Sequence, residues 1–159
     1  MKFEKFVKAL GSNGVIYERD GEERWLASPT CFMLIPLGTQ SVTAVGVQIM
    51  PSAIDKMIDQ IGHTAYASLT KAIMPYEDGG IKDCVRVFTT QAGDISLPIC
   101  NDDWSLIEKS DFCEILYDYD QETETFTAKA LLVKNYPKFP DDEDELVGII
   151  FPVTMEKED

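Results

Sequence analysis

The sequence predicts an α+β fold: one domain over residues 1–153, mainly antiparallel strands and hairpins with about three short helices, and a flexible acidic tail at 154–159. Three observations lead there. The chain has 159 residues, 45% of them apolar, enough for one buried core. Stretches of apolar residues alternating with polar ones are separated by Gly, Asp and Asn turns at hairpin spacing. Helical periodicity occurs only in short pieces, and no strand-helix-strand alternation calls for a parallel sheet.

Phe3, Phe6, Val7 and Leu10 recur at i, i+3, i+4 and i+7 with Gly11 behind them, which predicts an amphipathic helix over 2–10. Val15–Arg19 and residues 22–27 flank Asp20-Gly21, a dipeptide that accepts positive φ, so they form a hairpin; Tyr17 is expected opposite Arg24 and Ile16 opposite Trp25. Pro29 and Pro36 bracket a strand at 31–35, and a fourth runs through Val42, Ala44 or Val45, Val47 and Ile49. Ser52 is the expected N-cap of a second helix, whose stripe Ile54, Met57, Ile58 and Ile61 ends at Gly62. Residues 65–74 read as a strand, 75–80 as a loop, and Cys84–Thr90 with 95–99 as a hairpin across Ala92-Gly93. Asn101 or Asp102 caps a third short helix carrying Trp104, Leu106 and Ile107. Strands at 112–119, 126–134 and 146–153 complete the chain, with a turn at 121–125 and an exposed loop at 135–145. The apolar strand 146–153 is expected at a sheet edge, where it would pair between subunits of a homo-oligomer.

Catalytic and cofactor motifs are not found. His63 is the single histidine, and no G-x-S-x-G elbow accompanies it, so it reads as a loop residue. Cys31, Cys84, Cys100 and Cys113 have no C-x-x-C spacing and stand in apolar stretches, which predicts buried free thiols rather than a zinc site. Gly79-Gly80-Ile81-Lys82-Asp83 matches no phosphate-binding loop. The run Asp141 to Glu145 lacks the central Gly and flanking helices of a calcium loop. The carboxylate pairs Asp102-Asp103 and Asp118 with Asp120 are explained by capping and turn chemistry. A small enzyme using Asp102, Asp103 and His63 is the least supported reading; the chain is expected to be non-enzymatic and without cofactor or metal.

Charge is the informative feature. The chain carries 28 acidic against 14 basic residues, a net charge of -14 that repels nucleic acid. Residues 1–100 hold 11 acids and 9 bases; residues 101–159 hold 17 acids and 5 bases, a net of -12. Asp118, Asp120, Glu122 and Glu124, with Asp141, Asp142, Glu143, Asp144 and Glu145, alternate with apolar residues and should share faces or rims of one sheet. Tyr136 and Phe139 flank prolines before the acidic run and are expected to be exposed anchors beside it, because exposed ion pairs alone add little affinity. Such a surface steers a basic partner; the alternative is an acidic surface kept for solubility. No apolar run approaches the roughly 20 residues that span a bilayer, and the N-terminus lacks an h-region, so a cytoplasmic location is expected.

The stretches Glu23-Arg24-Trp25-Leu26-Ala27-Ser28-Pro29, Gly80-Ile81-Lys82-Asp83-Cys84 and Glu145-Leu146-Val147-Gly148-Ile149-Ile150-Phe151-Pro152-Val153 resemble those of small uncharacterised acidic proteins from prophages of Firmicutes. That resemblance implies a mobile-element origin and no activity. The order of short helices and antiparallel strands, ending on an apolar strand with a proline, is similar to a single domain of a DNA sliding clamp. Clamps line their lumen with Lys and Arg, whereas this chain has only Arg19, Arg24 and Arg86 plus scattered lysines. With a mobile-element origin, the net of -12 over residues 101–159 and the lack of catalytic motifs suggest a phage interaction protein whose acidic surface occupies the nucleic-acid groove of a basic host protein, as an anti-CRISPR inhibitor of a Cas nuclease would. The alternative is a clamp-like or structural accessory of phage replication or assembly.

Overall fold

Strands that are apolar on both faces need a covering layer on each side, and here both layers form on one sheet. The computed structural model describes residues 1–21, 23–39, 46–59, 62–75, 84–137 and 139–153, with side chains for all but 71–75 and 84. Along the chain lie α1 (Phe3–Leu10), β1 (Val15–Arg19), β2 (Glu23–Ala27), β3 (Cys31–Leu34), β4 (Val47–Ile49), α2 (Ser52–Asp59), β5 (His63–Pro75), β6 (Cys84–Thr90), β7 (Ser96–Cys100), α3 (Asn101–Trp104), β8 (Asp111–Asp120), β9 (Thr125–Asn135) and β10 (Glu145–Ile150). The result is a single sheet-rich domain. Its ten strands take the order β4-β1-β2-β3-β10-β9-β8-β5-β6-β7, every pair antiparallel except β1 with β4.

The strand expected at an edge is central. β10 lies between β3 and β9, where Ile149 faces Phe32 on one side and Leu132 on the other. Leu131, Leu132, Ile149 and Ile150 are fully buried, so a continuous apolar run marks a strand covered on both faces and supplies no free edge. The first hairpin is also one residue out of the expected register, with Tyr17 opposite Trp25 and Ile16 opposite Leu26. Arg19 pairs with Glu23 instead of residue 22, so the loop has three residues, with Asp20 and Gly21 at φ 52° and 76°. Of the strand expected from Val42 to Ile49, the described part is β4, pairing in parallel with β1. Val42, Ala44, Val45, Ile61, residues 76–80 of the expected loop and the tail expected at 154–159 lie outside the described residues, while Pro75, expected in that loop, ends β5.

α1, α3 with the turn that follows it, and the curled-over β6–β7 hairpin cover one face, packing Phe6, Phe88, Leu97, Ile99 and Leu106 against Leu26, Met33, Ile115, Leu131 and Val133. Bulges between Leu69 and Ile73 and between Leu116 and Tyr117 accompany this curl. It brings β7 against β9, and the Val153 amide donates to the Pro98 carbonyl at 3.0 Å. The other face carries Trp25, Phe32, Leu116, Leu132 and Ile149 beneath Ile54, Met57 and Ile58 of α2. Ser52 is the first helical residue of α2 rather than its cap; the Pro51 carbonyl accepts from the Ile54 and Asp55 amides. α3 is a single turn, capped by Cys100, whose Sγ accepts from the Asp103 amide at 3.5 Å, and not by Asn101 or Asp102.

Candidate functional site

The expected site residues fall into two groups, and the topology holds them apart. Asp118, Asp120, Glu122 and Glu124 occupy the tip of the β8–β9 hairpin, while Asp141 to Asp144 lie in the connection from β9 to β10 and Glu145 opens β10. These are the two ends of β9, whose 11 residues span about 33 Å at roughly 3.3 Å per residue. The carboxylates therefore form two acidic rims of one sheet rather than one surface.

At the first rim the hairpin outruns its neighbours. β5 pairs with β8 only from Cys113 to Tyr117, and β10 pairs with β9 only from Leu131 to Asn135. The β8–β9 ladder continues to Asp120 opposite Thr125. Residues 118–127 therefore project as a two-stranded ribbon, exposed throughout. Strand alternation puts Asp118 and Asp120 on one face and the aromatic residues on the other. There Tyr119 packs on Phe126 at 4.9 Å, Phe126 on Tyr117 at 5.5 Å, and Tyr117 on His63 at 5.6 Å. Tyr117 is half-buried, while Tyr119 and Phe126 stay about 40% exposed (42% and 41%). The Asp120 carboxylate accepts from the Glu122 amide at 2.9 Å, the turn chemistry its sequence suggests. Glu124 holds φ 53°, a left-handed conformation that Gly or Asn takes more easily. Lys129 pairs with Asp118 at 2.9 Å.

At the second rim Tyr136 and Phe139 are exposed, 61% and 66%. With Asn135, Pro137, Asp142, Glu143 and Glu145 they line a cleft of about 300 Å³. Behind the cleft, Tyr136 lies against the buried Phe112 ring at 4.5 Å, and Phe112 stacks on Tyr66 at 5.4 Å. Desolvation pushes the Tyr66 phenol up; the neighbouring Tyr136 phenol, Asp144 and Glu114 push it in the same direction. No ion pair is formed by Asp141 to Glu145 among the described residues.

His63 begins β5 instead of standing in a loop, and its exposed ring lies on Tyr117. Asp103 is buried and accepts from the Thr30 hydroxyl at 2.7 Å, tying α3 to the turn before β3, while Asp102 is exposed. Among the described residues no three His, Cys, Asp or Glu side chains are placed to hold a metal ion, and no helix is long and apolar enough to cross a membrane. A wider cleft of about 780 Å³ runs beside α1, lined by Lys2, Lys5 and Lys8 together with Glu4 and Glu108.

Cys31 and Cys113 are buried free thiols, as the sequence suggests, and Cys100 is half-buried. Burial pushes all three up: Cys31 well above its ordinary value of 9.0, Cys100 to about 11 and Cys113 to about 12. Iodoacetamide at about pH 8 is expected to alkylate Cys100 first in a Cys84→Ser background and to spare Cys31 and Cys113 until urea unfolds the chain. Because the folded thiols hold their protons above the unfolded value, their stabilisation is fully present below about pH 9. It is lost as pH rises toward 11 and 12, so the urea midpoint should fall between about pH 9 and pH 11. A midpoint that is flat over that window contradicts the assignment.

Missed by the sequence reading was Arg19. It is 8% exposed, and its guanidinium donates to Asp55 at 2.7 Å, to Glu23 at 3.1 Å and to Asp59. Burial alone would lower its pKa, but the three carboxylates outweigh this and raise it. The available signal was Asp55 and Asp59, four residues apart on α2 beside its apolar stripe, facing a strand with one basic residue. No protein-family model, curated protein or solved structure matches the chain.

Proposed function

We propose that this is a non-enzymatic interaction protein whose acidic ribbon enters the nucleic-acid groove of a basic protein, with an anti-CRISPR inhibitor of a Cas nuclease as the concrete case. The observation that carries it is the projection of residues 118–127 beyond the sheet, with four carboxylates on a narrow two-stranded support. A groove that admits a nucleic-acid strand has the width for such a ribbon, and its cations find carboxylates in place of phosphates. Tyr119 and Phe126 supply the apolar contact that ion pairs alone lack. Glutamate at position 124, where the turn itself favours Gly or Asn, fits a role for its charge. The second rim, with Tyr136, Phe139 and Asp141 to Glu145, is a further contact surface in this reading.

The test is a titration of the protein against a Cas nuclease from about 50 to about 200 mM salt, alongside the variant Asp118→Asn, Asp120→Asn, Glu122→Gln, Glu124→Gln. Affinity of the parent should fall at least about tenfold over that range. The variant should keep its fold, bind roughly tenfold more weakly at low salt and lose most of the salt dependence, chiefly through slower association. No binding at low salt, or binding indifferent to salt, ends the proposal.

The accessory-protein alternative has one observation of its own. Its edge is not the strand 146–153 but β4, whose Val47 and Ile49 are 54% and 88% exposed. Light scattering that returns a monomer at micromolar concentration removes it.

A further inference from the structure

The aromatic surface at the second rim is chemically distinct from the ribbon. Tyr66 stacks on Phe112 and Tyr136 lies tilted against Phe112, making a row of three rings, and Tyr136 also walls the 300 Å³ cleft that it shares with Phe139. Tyr66, Tyr136 and Phe139 are each more than half exposed, whereas Phe112 is buried and fixes the Tyr136 ring from behind. Around this apolar floor stand Asp142, Glu143 and Glu145. Preorganised rings beside carboxylates suit a planar cation, because a guanidinium stacks on an aromatic face while its N–H groups reach carboxylate oxygens. An ammonium satisfies the charge but not the stacking.

We infer that this surface docks an arginine-bearing basic segment of another protein, with a guanidinium seated between Tyr136 and Phe139. A second copy of this chain is a poor occupant, since its net charge of -14 opposes the approach. Its arginines are also committed: Arg19 to its three carboxylates, Arg24 to Glu18 at 2.8 Å, and Arg86 to Asn101 and the Trp104 ring. Nucleic acid and anionic membranes are repelled by the same carboxylates. The inference rests on the proposed function in taking the partner to be basic, and adds the residue that the second rim recognises.

The experiment is fluorescence anisotropy with a labelled nona-arginine peptide, nona-lysine as its charge-matched control, at about 150 mM salt. The proteins are the parent, the double variant Tyr136→Ala with Phe139→Ala, and the ribbon variant described above. Nona-arginine should bind the parent about fivefold or more tighter than nona-lysine. The double variant should abolish that preference with its circular dichroism unchanged, and the ribbon variant should keep it. If the alanine variant fails to fold, Tyr136→Leu with Phe139→Leu keeps apolar volume, removes the π faces and gives the same readout. Equal affinity for the two peptides, a preference that survives in the folded aromatic variant, or parent dimers that the aromatic variant dissolves would each overturn the inference. Preference lost only in the ribbon variant overturns it while leaving the proposed function standing.

Discussion

Replacing Arg19 with Met should lower stability by about 2 to 3 kcal/mol and loosen α2 from the sheet. The guanidinium joins the end of β1 to Asp55 and Asp59 of α2 and to Glu23 of β2, so one side chain ties three elements together. Its loss leaves those carboxylates facing one another without a cation. They are between 37% and 58% exposed, so water offsets part of the repulsion, which places the effect below that of breaking a wholly buried pair. Urea unfolding monitored by circular dichroism measures the loss, and hydrogen exchange at 52–59 shows whether it falls on α2. A shift under about 0.5 kcal/mol would make Arg19 an ordinary surface residue.

Ile149→Ala should cost about 3 to 4 kcal/mol. Ile149 is wholly buried, faces Phe32 and Leu132 across its two neighbouring strands, and packs in the core beneath α2. Neighbours held on both sides by ladder hydrogen bonds cannot collapse into the space, so most of the cavity remains. Val47→Ala on half-exposed β4 is the matched control and should change stability by less than about 0.5 kcal/mol. Similar values at the two positions would contradict a central place for β10.

Local pattern made much of this fold legible. The helix at α1, the β6–β7 hairpin and the long β8–β9 pair follow from apolar periodicity and turn residues, which act over a few positions. Strand order did not follow, because insertion of β10 between β3 and β9 joins residues 31–33 to 148–150 and leaves no mark in either segment alone. The register of the first hairpin turned on a single loop residue that Asp20-Gly21 does not specify. For the candidate site, the exposure of the carboxylates and of Tyr136 and Phe139 was readable from polarity and flanking prolines. Their separation was implicit as well, since turns at the two ends of one long strand stand far apart. Which aromatic rings meet depends on register and bulges, so the Tyr66, Phe112 and Tyr136 row was not readable.

The position of β10 also bears on how the chain reaches this structure. β1 to β3 can pair among themselves early, and β8 with β9 likewise, but only β10 joins the two groups of strands in the sheet. Until residues 145–150 are in place, β3 and β9 each present an open apolar edge, the template on which chains pair with one another. Closing contacts more than a hundred residues apart in sequence is slow, because the loop entropy must be overcome before the contacts reward it. Truncation or delayed synthesis of β10 would therefore leave two partly formed sheets prone to aggregation, and the acidic residues 141–144 just ahead of it supply charge that keeps such species apart.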